Sequence, residues 1–404
     1  MTTTINNEHK KLNVPNLRFP EFQGEWEEER LADIADLYKG TGISKDQLSD
    51  DGEPCILYGE LYTKYKSETI REVISKTNIN NTKLVKSKAN DVIIPCSGET
   101  AEDIATARCV LNGNILLGGD LNIIRLHGYD GAFMSYQLNG RRKYDIAKVA
   151  QGVSVVHLYG EHLKGVKTIN PCLEEQKKIA KLLSLLDERI ATQNKIIEDL
   201  KKLKSAIIEK HYCKVEKQIA CVGDLGEPFS VGNLAKDDLT ETGIPCVIYG
   251  ELFTTYGETI SQIESHTYKT EGIILSKKGD LLFPSSTTVD AMSLIAPSVI
   301  NMDGVILGGD MFGIHISPNF NAQYLSYYFN HIAKRQLAKF AKGSTIIHLH
   351  YADIEKAKLL LPSLEEQNRM AKCLVTLDDK IKKERTFFDL LNSQKAYLLC
   401  HMFI

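Results

Sequence analysis

The chain states one long passage twice, and that repetition limits its fold more than any other feature. PCILYGEL at Pro54–Leu61 returns as PCVIYGEL at Pro245–Leu252. LGGD at Leu117–Asp120 returns at Leu307–Asp310, and GVSVVHL at Gly152–Leu158 returns as GSTIIHL at Gly343–Leu349. PCLEEQ at Pro171–Gln176 returns as PSLEEQ at Pro362–Gln367. The order is kept and the spacing stays close to 191 residues, so this is a duplicated unit. Two similar domains in one chain predict near two-fold symmetry, and with it a partner that is itself two-fold or bipartite.

Bulk composition narrows the class. A length of 404 residues exceeds one ordinary core, and 43% hydrophobic with 25% charged residues is a soluble globular composition. No apolar run reaches the ~18–20 residues that span a bilayer. Met1–Lys10 lacks the apolar core of a secretory signal. The nine cysteines are dispersed without a C-x-x-C pair, which favours reduced thiols, no zinc site and a cytoplasmic location. A net charge of −3 gives no global sign of nucleic-acid binding, although local patches can supply that footprint.

Each copy has a globular part and a helical part. Residues 1–16 read as a tail, 17–170 and 217–361 as globular domains, and 171–216 and 362–404 as spacer helices. Short β-type runs (Val92–Pro95, Asn122–Leu126, Leu281–Pro284, Gly313–Ile316) alternate with Gly, Asp, Asn and Ser turns, and helical stretches cover 132–148 and 322–342. The fold class is therefore α+β. Pro171 and Pro362 suit the first turn of a helix, and Ser363 with Glu366 predicts a capping box where the first copy has only Cys172. Beyond them Leu183, Leu186, Ile190, Ile197, Leu200 and Ile207 alternate steps of three and four, with Gln193 and Lys204 in the gaps. Leu374, Leu377, Ile381, Phe388, Leu391 and Leu398 keep that register, with Glu384 and Lys395 in the gaps. Two such stripes predict a coiled coil, antiparallel so that one globular domain sits at each end of a rod of roughly 60 Å.

No catalytic constellation survives inspection. Gly160–Lys164 followed by Gly165 approaches the phosphate-binding loop, but that motif needs Lys directly after its second Gly, and Val166 stands there. No G-x-G-x-x-G follows a strand to hold a dinucleotide or S-adenosylmethionine, and the Asn/Asp-Pro-Pro-aromatic motif of amino-methyltransferases is absent. Glu175-Gln-Lys177 is half of a nuclease motif, yet its repeat, Glu366-Gln-Asn368, loses the lysine. His348-Leu-His350 has only His157-Leu-Tyr159 as its counterpart, so a metal pair is not repeated either. What recurs is scaffold: Tyr58/Tyr249, Glu60/Glu251, Pro95/Pro284, Asp120/Asp310, Gly152/Gly343 and His157/His348. Loops beside them differ, with Ser97–Thr100 (SGET) against Ser286–Val289 (STTV). One scaffold with two sets of polar loops suggests two domains reading two targets.

These residues resemble the specificity subunit of a type I restriction–modification enzyme over essentially the whole chain. The resemblance rests on VPNLRFPEF at Val14–Phe22, WEEERLADI at Trp26–Ile34, and the twice-present Gly-x-x-x-x-His-Leu loop and Pro-x-Leu-Glu-Glu-Gln helix start. The opening is similar to Gram-positive, staphylococcal-like members. The resemblance implies two target-recognition domains for the halves of a split double-stranded DNA site, and spacer helices that dock two methyltransferase subunits. It also implies two restriction subunits, with S-adenosylmethionine, ATP and Mg bound in those partners and no catalytic residue, metal or cofactor in this chain. Bases are read by Arg, Lys, Asn, Gln, Ser and Thr on loops. Candidates are Lys64, Lys66, Ser97, Thr100, Gln151, Ser154 and His157 in the first domain. Those of the second are Thr254, Thr255, Ser285, Thr287, Lys342, Ser344, Thr345 and His348. The competing readings are a stand-alone duplicated DNA-binding regulator or scaffold, and a nuclease with a novel site.

Overall fold

A computed structural model describes residues 13–79, 83–152 and 155–404. The chain separates into two compact units, one holding residues up to Asn194 with Thr386–Ile404, the other Lys195–Arg385. Each unit contains one mixed α/β domain and a segment of each of two long helices, Leu173–Lys214 and Leu364–His401.

The two domains are built alike. The first has a five-stranded sheet in the order Ala35–Lys39, Leu121–Leu126, Asp91–Pro95, Arg108–Val110, Thr69–Ile70. Its second five-stranded sheet runs Leu48–Ser49, Ser75–Thr77, Glu53–Ile56, Leu116–Leu117, Val85–Lys86. The second domain repeats both orders, starting from Gly226–Ser230 and Leu239–Thr240. Central strands Asp91–Pro95 and Asp280–Pro284 are buried along their whole length, which explains their unbroken apolar runs. Their one charged residue is paired in each case. Arg125 donates to Asp91 at 2.9 and 2.8 Å, and in the other copy His315 Nδ1 lies 2.6 Å from Asp280.

The helical stretch expected over 132–148 is two helices, Gly131–Asn139 and Lys143–Val149. Asp130 caps the first by accepting from the Phe133 N–H at 2.8 Å, and Gly140 leaves helical geometry at its end. In the second domain the stretch over 322–342 is interrupted by a π-helical turn, Phe329–Ala333.

Both long helices start two residues after a proline and open with paired glutamates, which suit the positive end of a helix. The expected capping box forms by half. Ser363 Oγ accepts from the Glu366 N–H at 3.4 Å, but the Glu366 carboxylate turns to Arg369 and to His211 instead. Gln176 and Gln367 hold both starts more firmly. Each is buried, donates to the preceding Pro171 or Pro362 carbonyl at 2.8 or 2.9 Å, and accepts the N–H of Asp130 or Asn321.

Within each unit the helix segments run antiparallel. In the first, Asp187 meets Lys395 while Arg189 stacks on the Phe387 ring at 5.3 Å. In the second, Lys204 meets Asp378 while His211 meets Glu366. All twelve expected stripe residues are buried or half-buried. The polar gaps carry the main joint between helices and domain. Lys395 Nζ lies 2.6 Å from Glu68 and 2.7 Å from Asp187, and the Tyr136 hydroxyl donates to Asp187 at 2.7 Å. Its repeat is Lys204, 3.0 Å from Glu258 and 2.9 Å from Asp378, with the Tyr327 hydroxyl donating to Asp378 at 2.5 Å. Burial opposes each ammonium, but the facing carboxylates hold both lysines above the usual range. Phe403 closes the first domain's core by packing on Phe133 at 5.2 Å. Among the described residues no helix is long and apolar enough to cross a membrane.

Candidate nucleic-acid interface

The residues flanking the repeated Gly-x-x-x-x-His-Leu segment pair with its histidine in both copies. The Gln151 N–H donates to the His157 carbonyl at 2.9 Å and the His157 N–H donates back at 2.7 Å. Lys342 and His348 repeat this at 2.9 and 2.7 Å. The segment needs glycine. Gly152 and Gly343 have φ of 129° and 118°, and a Cβ there would lie 2.1 Å from the Val155 carbonyl oxygen or 2.0 Å from that of Ile346. The histidine also pairs with the segment that leaves the central strand: His157 faces Ser97, and His348 faces Ser286. His157 stacks on Tyr159, and His348 on His350, with ring centroids 6.1 Å apart in both.

A third element completes the surface, the short helix at Glu60–Thr63 or Glu251–Thr254. Its glutamate is a buried anchor. Glu60 accepts the Leu57 N–H at 3.0 Å and the Ser75 hydroxyl at 2.5 Å, and Glu251 repeats both with Ile248 and Ser265. Between the three elements lies a cleft of about 580 Å³ in the first domain, bordered by Tyr58, Glu99 and Val155. Its counterpart of about 750 Å³ in the second is bordered by Tyr249, Thr288, Lys334 and Ile346.

The sequence-derived candidates are placed as follows. Gln151, Ser97 and His157 come together in one copy, as do Lys342, Thr287 and His348 in the other; Ser344 and Thr345 are exposed in the segment between Lys342 and His348. Ser97 and Ser285 are buried: the Ser97 hydroxyl donates to Asp120, and the Ser285 N–H donates to the Asp310 carbonyl at 2.7 Å. Lys64 is drawn inward by Glu60 at 2.6 Å, Lys66 donates to the Tyr62 carbonyl, Lys342 pairs with Asp353, and Thr100 caps Ala101–Ile104. Thr254 donates to the Gly250 carbonyl and Thr255 closes that helix. Ser154 lies outside the described residues. Glu99, Lys334, Val155 and Ile346 were missed. Only the difference between the SGET and STTV loops signalled Glu99, and nothing in the sequence signalled Lys334.

Glu175, the half-motif carboxylate, is fully buried and takes two hydrogen bonds of 2.8 Å from Arg18. Gly160–Lys164 is a short helix rather than a phosphate loop. Among the described residues no group of three or more His, Cys, Asp or Glu is placed to hold a metal.

The chain thus builds one α/β domain twice, each copy with a differently lined cleft and a segment of each of two long helices. Residues 23–202 and 214–386 each match the type I restriction modification DNA specificity domain, and the chain belongs to that family. It is 26% identical over 396 residues to the type I restriction enzyme MjaVIII specificity subunit of Methanocaldococcus jannaschii, covering 91% of this chain and 89% of the relative. The fold is also that of the type I restriction–modification S subunit from M. genitalium, with TM-score 0.65, 17% identity, and coverage of 97% and 99%. A structure from a study of complex assembly and conformational transition of the type I restriction–modification system matches with TM-score 0.54, 14% identity, and coverage of 94% and 97%. The chain is thus a DNA-specificity component of such a system, non-catalytic, with catalysis in partner subunits.

Proposed function

We propose that each domain reads one half of a bipartite double-stranded DNA site through its cleft and the histidine segment beside it. The paired helices set the gap between the halves and dock two methyltransferase subunits. Those subunits bind S-adenosylmethionine and methylate adenine; two restriction subunits use ATP and Mg to cleave unmodified DNA, and the assembly works in the cytoplasm. The observation that carries this reading is one scaffold built twice with different cleft linings. Base recognition needs such variation, whereas a scaffold for one partner does not. Exposed Leu182, Leu185, Ile196 and Leu203 on the first long helix support a docking role, since apolar side chains at helical spacing on an outer face suit a protein partner.

The test is co-expression with the methyltransferase subunits and single-molecule sequencing for methylated adenine. A split motif that depends on this chain is expected. Tight DNA binding by the isolated chain, with no methyltransferase association, would instead establish a stand-alone binding protein.

A further inference from the structure

We infer that the two clefts offer opposite hydrogen-bonding edges to DNA: the first domain selects a base with an exocyclic amino group through Glu99, and the second selects guanine through Lys334. This rests on the proposed role of each domain as reader of one half-site.

Among the described residues, the lining of the first cleft contains no cation. Its hydroxyl donors are mostly engaged. Tyr62 donates to the Ser97 carbonyl at 3.1 Å, Thr63 to the Gly59 carbonyl at 3.0 Å, and Ser97 to Asp120. Asp103 accepts the Thr100 hydroxyl at 2.7 Å, on one of its two carboxylate oxygens. The exposed Glu99 carboxylate remains, with no hydrogen-bond or ion-pair partner among the described residues. A carboxylate repels phosphate, so backbone contact does not suit this cleft. In the major groove it accepts from cytosine N4, or equally from adenine N6.

The second cleft reverses that polarity. Thr288 and Ser293 stand in its lining where the first domain has Glu99 and Asp103. Among the described residues of its lining the one carboxylate, Glu258, is already ion-paired with Lys204 at 3.0 Å and hydrogen-bonded by His331 at 2.7 Å. Lys334 is half-buried at the rim and has no ion-pair partner among the described residues. An ammonium so placed donates to guanine O6 and N7. Val155 and Ile346, 52% and 50% exposed, wall the two clefts at matched positions. Apolar walls of this kind suit base edges better than the phosphate chain.

The experiment maps methylated adenine in a randomised DNA library treated with the complete methyltransferase complex, comparing the native chain with Lys334→Met, Lys334→Arg and Glu99→Leu. Losing one base-specific contact relaxes discrimination roughly 5- to 150-fold at one position. Lys334→Met is expected to relax a guanine in one half-site only, and Lys334→Arg to retain it. Glu99→Leu, which has no acceptor, is expected to relax an adenine or cytosine position in the other half-site. Unaltered motifs at full methylation would overturn the inference while leaving the two-reader function standing. Uniform weakening at all positions would also overturn it, by making Lys334 a phosphate contact. A native chain that yields no split motif would overturn the function itself.

Discussion

Lys395→Met should loosen the first unit far more than an exposed lysine could. Lys395 is 16% exposed and faces Glu68 and Asp187, which are 11% and 7% exposed. Removing it leaves two buried carboxylates without their ion-pair partner, and breaking a buried pair from one side costs about 3–5 kcal/mol. With an m-value near 2 kcal/mol/M for urea, the midpoint should fall by roughly 1.5–2.5 M. The chain supplies its own local probe. Its single tryptophan, Trp26, is 2% exposed and packs edge-on to Phe133 at 5.8 Å in the first unit. Tryptophan fluorescence during urea unfolding of the full chain should therefore register Lys395→Met strongly and the matched Lys204→Met weakly. Replacing Lys395, Glu68 and Asp187 together by Met, Gln and Asn should recover part of the loss, because no buried carboxylate is left unpaired and Arg108, their other neighbouring cation, keeps its backbone carbonyl acceptors. An unmoved Trp26 transition in Lys395→Met, or a larger shift in Lys204→Met, would refute the reasoning.

Other expectations follow from the same contacts. Burial acts against the Glu258 carboxylate, but hydrogen bonds from His331 and Lys204 outweigh it and hold its pKa at about 2, below an ordinary 4.5. Because the folded value is the lower one, its contribution of about 3 kcal/mol is complete above pH ~4.5 and is lost as pH falls towards 2. Hydrogen exchange of the second unit should show that loss, and Glu258→Gln should abolish it. Gly343→Ala should cost about 1–3 kcal/mol locally, read as faster amide exchange at His348, because its Cβ meets the Ile346 carbonyl. Gln176→Ala should leave the Asp130 N–H and the Pro171 carbonyl without their partner and cost about 1–3 kcal/mol, measured in the Trp26 transition. Leu186→Lys with Ile190→Lys should separate the helices in the first unit and abolish co-purification of methyltransferase subunits, since Leu186 is buried and Ile190 half-buried.

The large-scale design was legible because it is written in local patterns. Heptad spacing marked both helices, and a one-chain comparison marked Gly152/Gly343 and the Gln176/Gln367 helix start. Lys204 and Lys395 were visible as polar gaps in an apolar stripe. Their partners were not, since Glu258 and Glu68 lie on loops far away in sequence, and only the fold brings them together. The recognition surface was less legible for the same reason. Ser97 and Ser285 read as loop residues but sit at the buried ends of central strands, and Lys64 reads as a free cation until Glu60 turns it inward. Lys334 was missed because it stands on an irregular helix that the π-helical turn re-aims. Periodicity carries no information about such a turn.

The central claim is that each half of the chain reads its own half of a split target. Replacing residues 17–170 by the corresponding segment of another specificity subunit, and mapping methylated adenine in cells that carry the methyltransferase subunits, tests it most directly. One half of the methylated motif should change while the other half and the gap stay as they were. A motif altered in both halves, or in neither, would contradict it.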